Sequence, residues 1–140
     1  MLRILEITPS LVDGGAERFV IDLSNELHSR KCQVHLLSLA AIDESPLIQE
    51  ARVPVTSYNK RRGFDFITYL KLSWTVCFSK HDIIHTHTRA LNYIALLPLL
   101  LTRKKIIHTL HNDAEKEENN ALFRFRKKVI FRLNLVKLVT

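Results

Sequence analysis

Apolar positions along the 140-residue chain switch repeatedly between the close clustering of strands and the three-to-four spacing of helices. Arg3–Thr8, RILEIT, is rich in aliphatic and β-branched residues and ends at Pro9, which predicts a buried strand followed by a loop. From Ala16 the apolar residues Ala16, Phe19, Val20, Leu23 and Leu27 recur as one helix face. Gln33–Ser38 predicts the next strand, and Val53–Tyr58 a short one weakened by Pro54. Phe66–Phe78 has helical spacing, with Ile67, Leu70 and Trp74 aligned, and Asp82–Thr88, DIIHTHT, predicts a strand running into a loop.

Ala90–Leu101 predicts a buried helix and Lys105–Leu110 another strand. After the polar, acidic run HNDAEKEENN, Ala121–Val136 again has helical spacing, at Leu122, Phe125, Val129, Leu133 and Val136; Phe123, Phe125 and Phe131 are expected in the core. The closing VKLVT reads as the opening of one more strand. Strands alternating with helices need crossover connections, so the expected fold is α/β, a Rossmann-like open parallel sheet with helices on both faces.

Composition agrees with a globular domain: 46% hydrophobic and 25% charged residues, with no repeat or low-complexity segment. The N-terminus has no secretory signal pattern, and the most apolar run, Ala90–Thr102, is too short to span a bilayer. Cys32 and Cys77 lack the paired spacing of zinc or redox sites and suit reduced thiols in a cytoplasmic protein. The net charge is +7, and the residues from Asn120 onward carry six basic side chains and no acid. Arg124, Lys128 and Arg132 form an i, i+4 stripe, which fits either a solvated helix face or docking on an anionic membrane surface. No nucleic-acid recognition motif accompanies the charge.

In such a sheet ligands sit beyond the carboxyl ends of the strands. Gly14 and Gly15 after the first strand, His85 and His87 at the fourth, and His111 after the fifth meet that condition. Paired glycines before a helix allow a phosphate to approach free N–H groups, or simply make a tight turn. DGGAER is neither a G-x-G-x-x-G fingerprint nor a P-loop, which demotes nicotinamide dehydrogenases and P-loop hydrolases. His85, His87 and His111 could ligate zinc or donate hydrogen bonds to hydroxyls and phosphates; neither an HExxH helix nor a nearby carboxylate set supports the metal. His85, set deeper in its strand, reads as structural, and His87 and His111 as ligand contacts. Asp13, Glu17 and Asp113 read as solvated or capping acids, and neither an acidic pair nor a G-x-S-x-G elbow points to a hydrolase.

Together RILEITPSLVDGGAERFVIDLSNEL, DIIHTHTRALNYIA and KIIHTLHND resemble, in order and spacing, the amino-terminal domain of the family 4 glycosyltransferases, retaining enzymes of GT-B architecture. The resemblance implies an acceptor-side domain facing a second domain that grips a nucleotide-sugar donor, with sugar transferred, with retention and no metal or other cofactor, to a glycan or lipid-linked acceptor in cell-surface polysaccharide synthesis. Carried over by position, it implies that Gly14 and Gly15 meet the donor diphosphate, that His111 is the active-site histidine near the transferred sugar, and that His87 and Asn112 line the cleft. It also implies that residues 1–140 are an incomplete domain, without the donor-binding half or its E-x7-E motif, that a separate chain could supply that half, and that this chain alone transfers sugar poorly. The expected location is cytoplasmic, peripheral to the inner membrane face. The rival reading is a non-catalytic Rossmann-like module that binds a sugar phosphate or a partner protein.

Overall fold

The computed structural model describes residues 1–12, 14–42, 46–110 and 121–139. Its strands are β1 (Arg3–Thr8), β2 (Gln33–Ser38), β3 (Val55–Ser57), β4 (Ile83–His87), β5 (Lys105–Thr109) and β6 (Lys137–Val139). Its helices are α1 (Gly15–Ser29), α2 (Phe66–Phe78), α3 (Leu96–Leu101) and α4 (Ala121–Arg132), with 3-10 turns over Pro46–Glu50 and Thr88–Tyr93. The strands form a six-stranded sheet in the order β3-β2-β1-β4-β5-β6, and every pairing is parallel. This is the Rossmann-like α/β arrangement that the strand–helix alternation predicts. Strand order reverses between β1 and β4, and such a switch point opens a crevice at the carboxyl edge.

Side chains alternate across the sheet, so each strand feeds two cores. On one face Val34 and Leu36 meet Val20 and Ile21 of α1, with Leu47 of the first 3-10 turn and Val53. On the other, Leu5, Ile7, Leu37, Ile84 and Ile106 meet Leu72 and Val76 of α2, Leu99 of α3 and Ile130 of α4. The amino ends of β1 and β4 are pinned where Arg3 Nη2 donates to Asp82 Oδ1 at 2.8 Å and the Arg3 amide donates to Asp82 Oδ2 at 2.9 Å. Those bonds from Arg3 hold the Asp82 carboxyl down at about 2.

The Ala90–Leu101 stretch departs from the single buried helix expected of it. Ile94 and Ala95 take extended backbone, and α3 begins at Leu96. Pro98 explains the late start, because proline is tolerated in a helix's first turn, where its missing N–H has no partner to lose.

Which way the helices face also differs from the expected stripes. In α2 the aligned residues Ile67, Leu70 and Trp74 point outward, and Thr68, Leu72, Ser73 and Val76 are buried. In α4 Phe125 is exposed, Ile130 is buried and Phe131 packs against the core; Leu133, just past the helix, is exposed, and the side chain of Phe123 lies outside what is described. In α1 Phe19 is exposed, and Val20, Ile21 and Ser24 face inward. The physical reason is clearest in α2, which has apolar residues on every side, so periodicity cannot choose the inner one. Its start is explicit: Asp65 accepts from the Ile67 and Thr68 amides at 3.0 and 3.1 Å, an N-cap.

The orientation of α2 separates two leucines two residues apart. Leu72→Ala is expected to cost about 2–5 kcal/mol in urea denaturation, the loss of a buried leucine, and Leu70→Ala to stay within about 0.5 kcal/mol. The reverse order of costs would place α2 the other way round, and equal costs would remove the difference in burial between the two leucines.

Candidate functional site

The site grows from a carboxylate in the middle of the sheet. Glu6 and His85 are register partners on adjacent β1 and β4, and His87, two residues on, points to the same face. Glu6 is fully buried, and its Oε2 accepts from His85 Nδ1 at 2.9 Å and from His87 Nε2 at 2.8 Å. Burial pushes the Glu6 carboxyl up, but the hydrogen bonds from His85 and His87 outweigh it and hold the group below its usual value. A buried carboxylate at neutral pH is thus held by two imidazoles, and its second oxygen, Oε1, has no hydrogen-bond partner among the described residues.

The two histidines differ in environment. His85 Nε2 lies 2.8 Å from Thr109 Oγ1 of β5, and the ring is 9% exposed, whereas His87 is 0% exposed and meets Phe19 of α1 edge-on at 6.3 Å. His87, not His85, is therefore the deeper of the two, because Phe19 covers the carboxyl end of β4. The donor atoms of Glu6, His85 and His87 lie within 4.8 Å of one another, a two-histidine, one-carboxylate set of the kind zinc accepts. Hydrogen bonds occupy the donor atoms as they stand.

Immediately after His87, Thr88 has φ of 47°, the left-handed region that a β-branched side chain seldom adopts. Strain of this kind persists where surrounding structure enforces it, and here it falls at the switch point. On the neighbouring strand, Gly14 caps α1 in extended backbone and Gly15 is the first helical residue. A Cβ at Gly15 would meet nothing within 4 Å, so a ligand could approach that backbone closely. One at Gly14 would come within 2.5 Å of Glu17 Oε2, the end of a side chain that also accepts from Ser10 Oγ at 3.4 Å. Glu17 thus lies against the turn as a local partner, the bland role expected of it.

The structure therefore brings Gly14, Gly15 and His87 to the carboxyl edge of β1 and β4. His111 and Asn112, together with Asp13 and Asp113, lie outside the described residues; Thr109, two residues before His111, closes β5 beside His87. Two buried polar residues escaped the sequence reading. Glu6 had a signal, an acid inside an aliphatic strand, where a buried carboxylate demands a partner. His108 had none: its ring faces the opposite side of the sheet, with Nδ1 3.1 Å from the Thr86 carbonyl and 3.0 Å from Thr86 Oγ1. Desolvation, then repulsion from Lys127, pushes His108 down to about 3.

A pocket of about 370 Å³ lies at the opposite, amino edge, lined by Arg3, Gln33, His35, Pro54, Lys80 and His81. It is remote from the switch point, and strand topology favours the carboxyl edge as the site.

The sequence model of Glycosyltransferase Family 4 matches residues 13–140. No curated protein matches the chain.

Two expectations follow from this geometry. His108 stays neutral in the fold but takes a proton at about 6.5 when unfolded, so acid favours the unfolded state. Stability should fall as pH drops from about 6.5 toward 3, by up to about 1.4 kcal/mol per unit for this group, and Glu6 adds a further loss below about 4.5. Urea midpoints at pH 7 and pH 5 measure this, and His108→Asn should flatten the slope; an unchanged slope would remove His108 as its source. Thr88→Gly should raise stability by about 1 kcal/mol, relief of the left-handed penalty less the entropy cost of glycine. Destabilisation would show that the threonine side chain holds the turn.

Proposed function

The chain belongs to glycosyltransferase family 4, and on that footing we propose that it is the acceptor-side lobe of a retaining GT-B enzyme. The observation that carries the proposal is the meeting of the Gly14–Gly15 turn with the end of β4 at the switch point of a parallel sheet. In this reading the substrates are a nucleotide sugar and a glycan or lipid-linked acceptor used in cell-surface polysaccharide synthesis, and no metal takes part.

The chemistry needs charge stabilisation at two places. As the glycosidic bond to the diphosphate breaks, negative charge builds on the leaving nucleotide. In this reading the amide N–H groups at Gly14 and Gly15, at the positive end of α1, meet that charge. Glu17 in the first turn opposes an anion there, so the diphosphate competes with that carboxylate and needs cations from the facing lobe. His111 and Asn112 are assigned to the transferred sugar, with His111 as the active-site histidine. His87 is fully covered and bonded to Glu6, so we assign it to positioning: it holds the end of β4 and hence the turn at Thr88.

One lobe cannot by itself exclude water from a cleft between two. The rival module that binds sugar phosphate without transferring it draws on the same open turn at Gly15.

Residues 1–140 alone are expected to release nucleoside diphosphate from a panel of nucleotide sugars no faster than background. In nuclear magnetic resonance titrations a nucleoside diphosphate should shift the Gly14 and Gly15 amides, with Kd on the order of 1 mM. Shifts confined to other residues would remove the glycine turn from the donor site. Transfer at the rate of a full-length relative would overturn the two-lobe requirement, and binding by an assembled two-lobe protein that never transfers sugar would favour the module.

A further inference from the structure

The helices on the face of the sheet opposite α1 show an arrangement that sugar transfer does not explain. Phe66, Ile67, Leu70, Trp74 and Phe78 form one side of α2 and are 51–67% exposed. Successive residues turn by about 100°, so these five span an arc of some 120–140° opposite the buried Thr68, Leu72 and Val76. Adjacent α3, joined to α2 where the Ala95 amide donates to Ser73 Oγ, exposes Leu97, Leu100 and Leu101 at 50–67%. Phe64 extends the patch beyond the start of α2 and stacks on Tyr93, and Trp74 leans on Phe78 with ring centroids 4.2 Å apart. Eight large apolar side chains on two neighbouring helices are far more than the scattered exposure normal at a protein surface.

The surroundings of this patch decide what covers it. Residues 58–110 contain nine Lys and Arg against two Asp, and both acids are engaged, Asp65 in the cap of α2 and Asp82 with Arg3. Exposed Arg61 and Arg62 precede α2, Lys71 borders its apolar arc, and exposed Lys80, Arg103 and Lys105 follow the two helices. Arg126 of α4 donates to the carbonyls of Leu91 and Ile94, tying that helix to the turn before α3, and α4 adds exposed Arg124, Lys128 and Arg132. An apolar, aromatic centre with cations at both ends and no uncommitted acid in residues 58–110 is complementary to one kind of surface: hydrocarbon beneath anionic headgroups. No helix of the described residues is long and apolar enough to cross a membrane, which leaves in-plane seating.

We propose that the outer face of α2 and α3 is a membrane-docking surface, which seats Phe66, Leu70, Trp74 and Leu101 in the interfacial region of an anionic lipid leaflet. The basic stripe of α4 then acts as an electrostatic flank and α2 as the inserted element, which moves the expected contact away from the terminal helix. The inference does not require the sugar-transfer reading, since vesicle binding needs neither donor nor acceptor.

Trp74 is the only tryptophan in the chain, so its fluorescence reports on the patch without labelling. With vesicles of phosphatidylcholine and phosphatidylglycerol, the emission should shift to the blue and the protein should sediment with the lipid, less so at high salt. Leu70→Asp, at an exposed position, should keep the circular dichroism spectrum and melting point yet weaken partitioning by about tenfold or more. Arg61→Ala with Arg62→Ala should weaken it about 30-fold for anionic vesicles only. An unshifted Trp74 at millimolar lipid would overturn the proposal. So would equal binding to pure phosphatidylcholine, which would show the cations idle, or a shift that grows with protein concentration without lipid, which would mean that a second copy covers the face.

Discussion

The pairing of β1 with β4 is the join on which the rest of the molecule depends. Every other neighbour in the sheet lies within one half, β1 to β3 or β4 to β6, and only this ladder, from Ile4↔Ile83 to Ile7↔Thr86, fuses them. The join is charged at one end, where Arg3 and Asp82 lock the register in solvent, and charged again in its middle, where Glu6 sits under His85 and His87. An ionised carboxylate inside a sheet is tolerable only with donors aimed at it, and His85 and His87 supply them from the partner strand. The bonds to Glu6 Oε2 therefore also hold the carboxyl end of β4 against β1, where the strained Thr88 turn and the open Gly15 backbone meet.

The two faces of the joined sheet are covered unequally. α1 packs on one face over β1 and β2, whereas α2, α3 and α4 pack on the other. Because the second layer is built from helices apolar on both sides, sealing the core does not exhaust their hydrophobic surface. Leu72 and Val76 complete the inside, and Leu70, Trp74 and Phe78 remain outside, between cations. The carboxyl edge and the outer helical face thus carry different chemistries: fixed N–H groups and histidines at the edge, aromatic and basic residues on the face. Under the proposed function, with a lipid-linked acceptor, the lobe has use for both.

The fold was legible in detail. β1, β2 and α2 start and stop where the pattern places them, because proline after β1 and the Asp65 cap before α2 are local signals that need no tertiary help. Ala90–Leu101 was misread because a run of leucines has no internal mark of the extended break at Ile94 and Ala95, although Pro98 was a clue to it. Of the candidate site, the glycine turn and His87 were legible as residues that follow strands, and topology brings them together. Glu6 was passed over because its partners are 79 and 81 residues away, and the need for a partner is visible only when β1 lies beside β4.

By itself the sequence determined the alternation of strands and helices, hence the parallel sheet and its switch point, since those follow from local periodicity and the geometry of crossovers. It also determined the family, through segments whose spacing survives without any knowledge of contacts. Only the tertiary structure decided which side of α2 faces inward, which histidine is the deeper, and that an acid in the first strand serves two imidazoles in the fourth. The reason is the same in each case: burial belongs to a surface shared by elements distant along the chain, and a helix with two apolar sides or a strand with one acid does not say which neighbour it will meet.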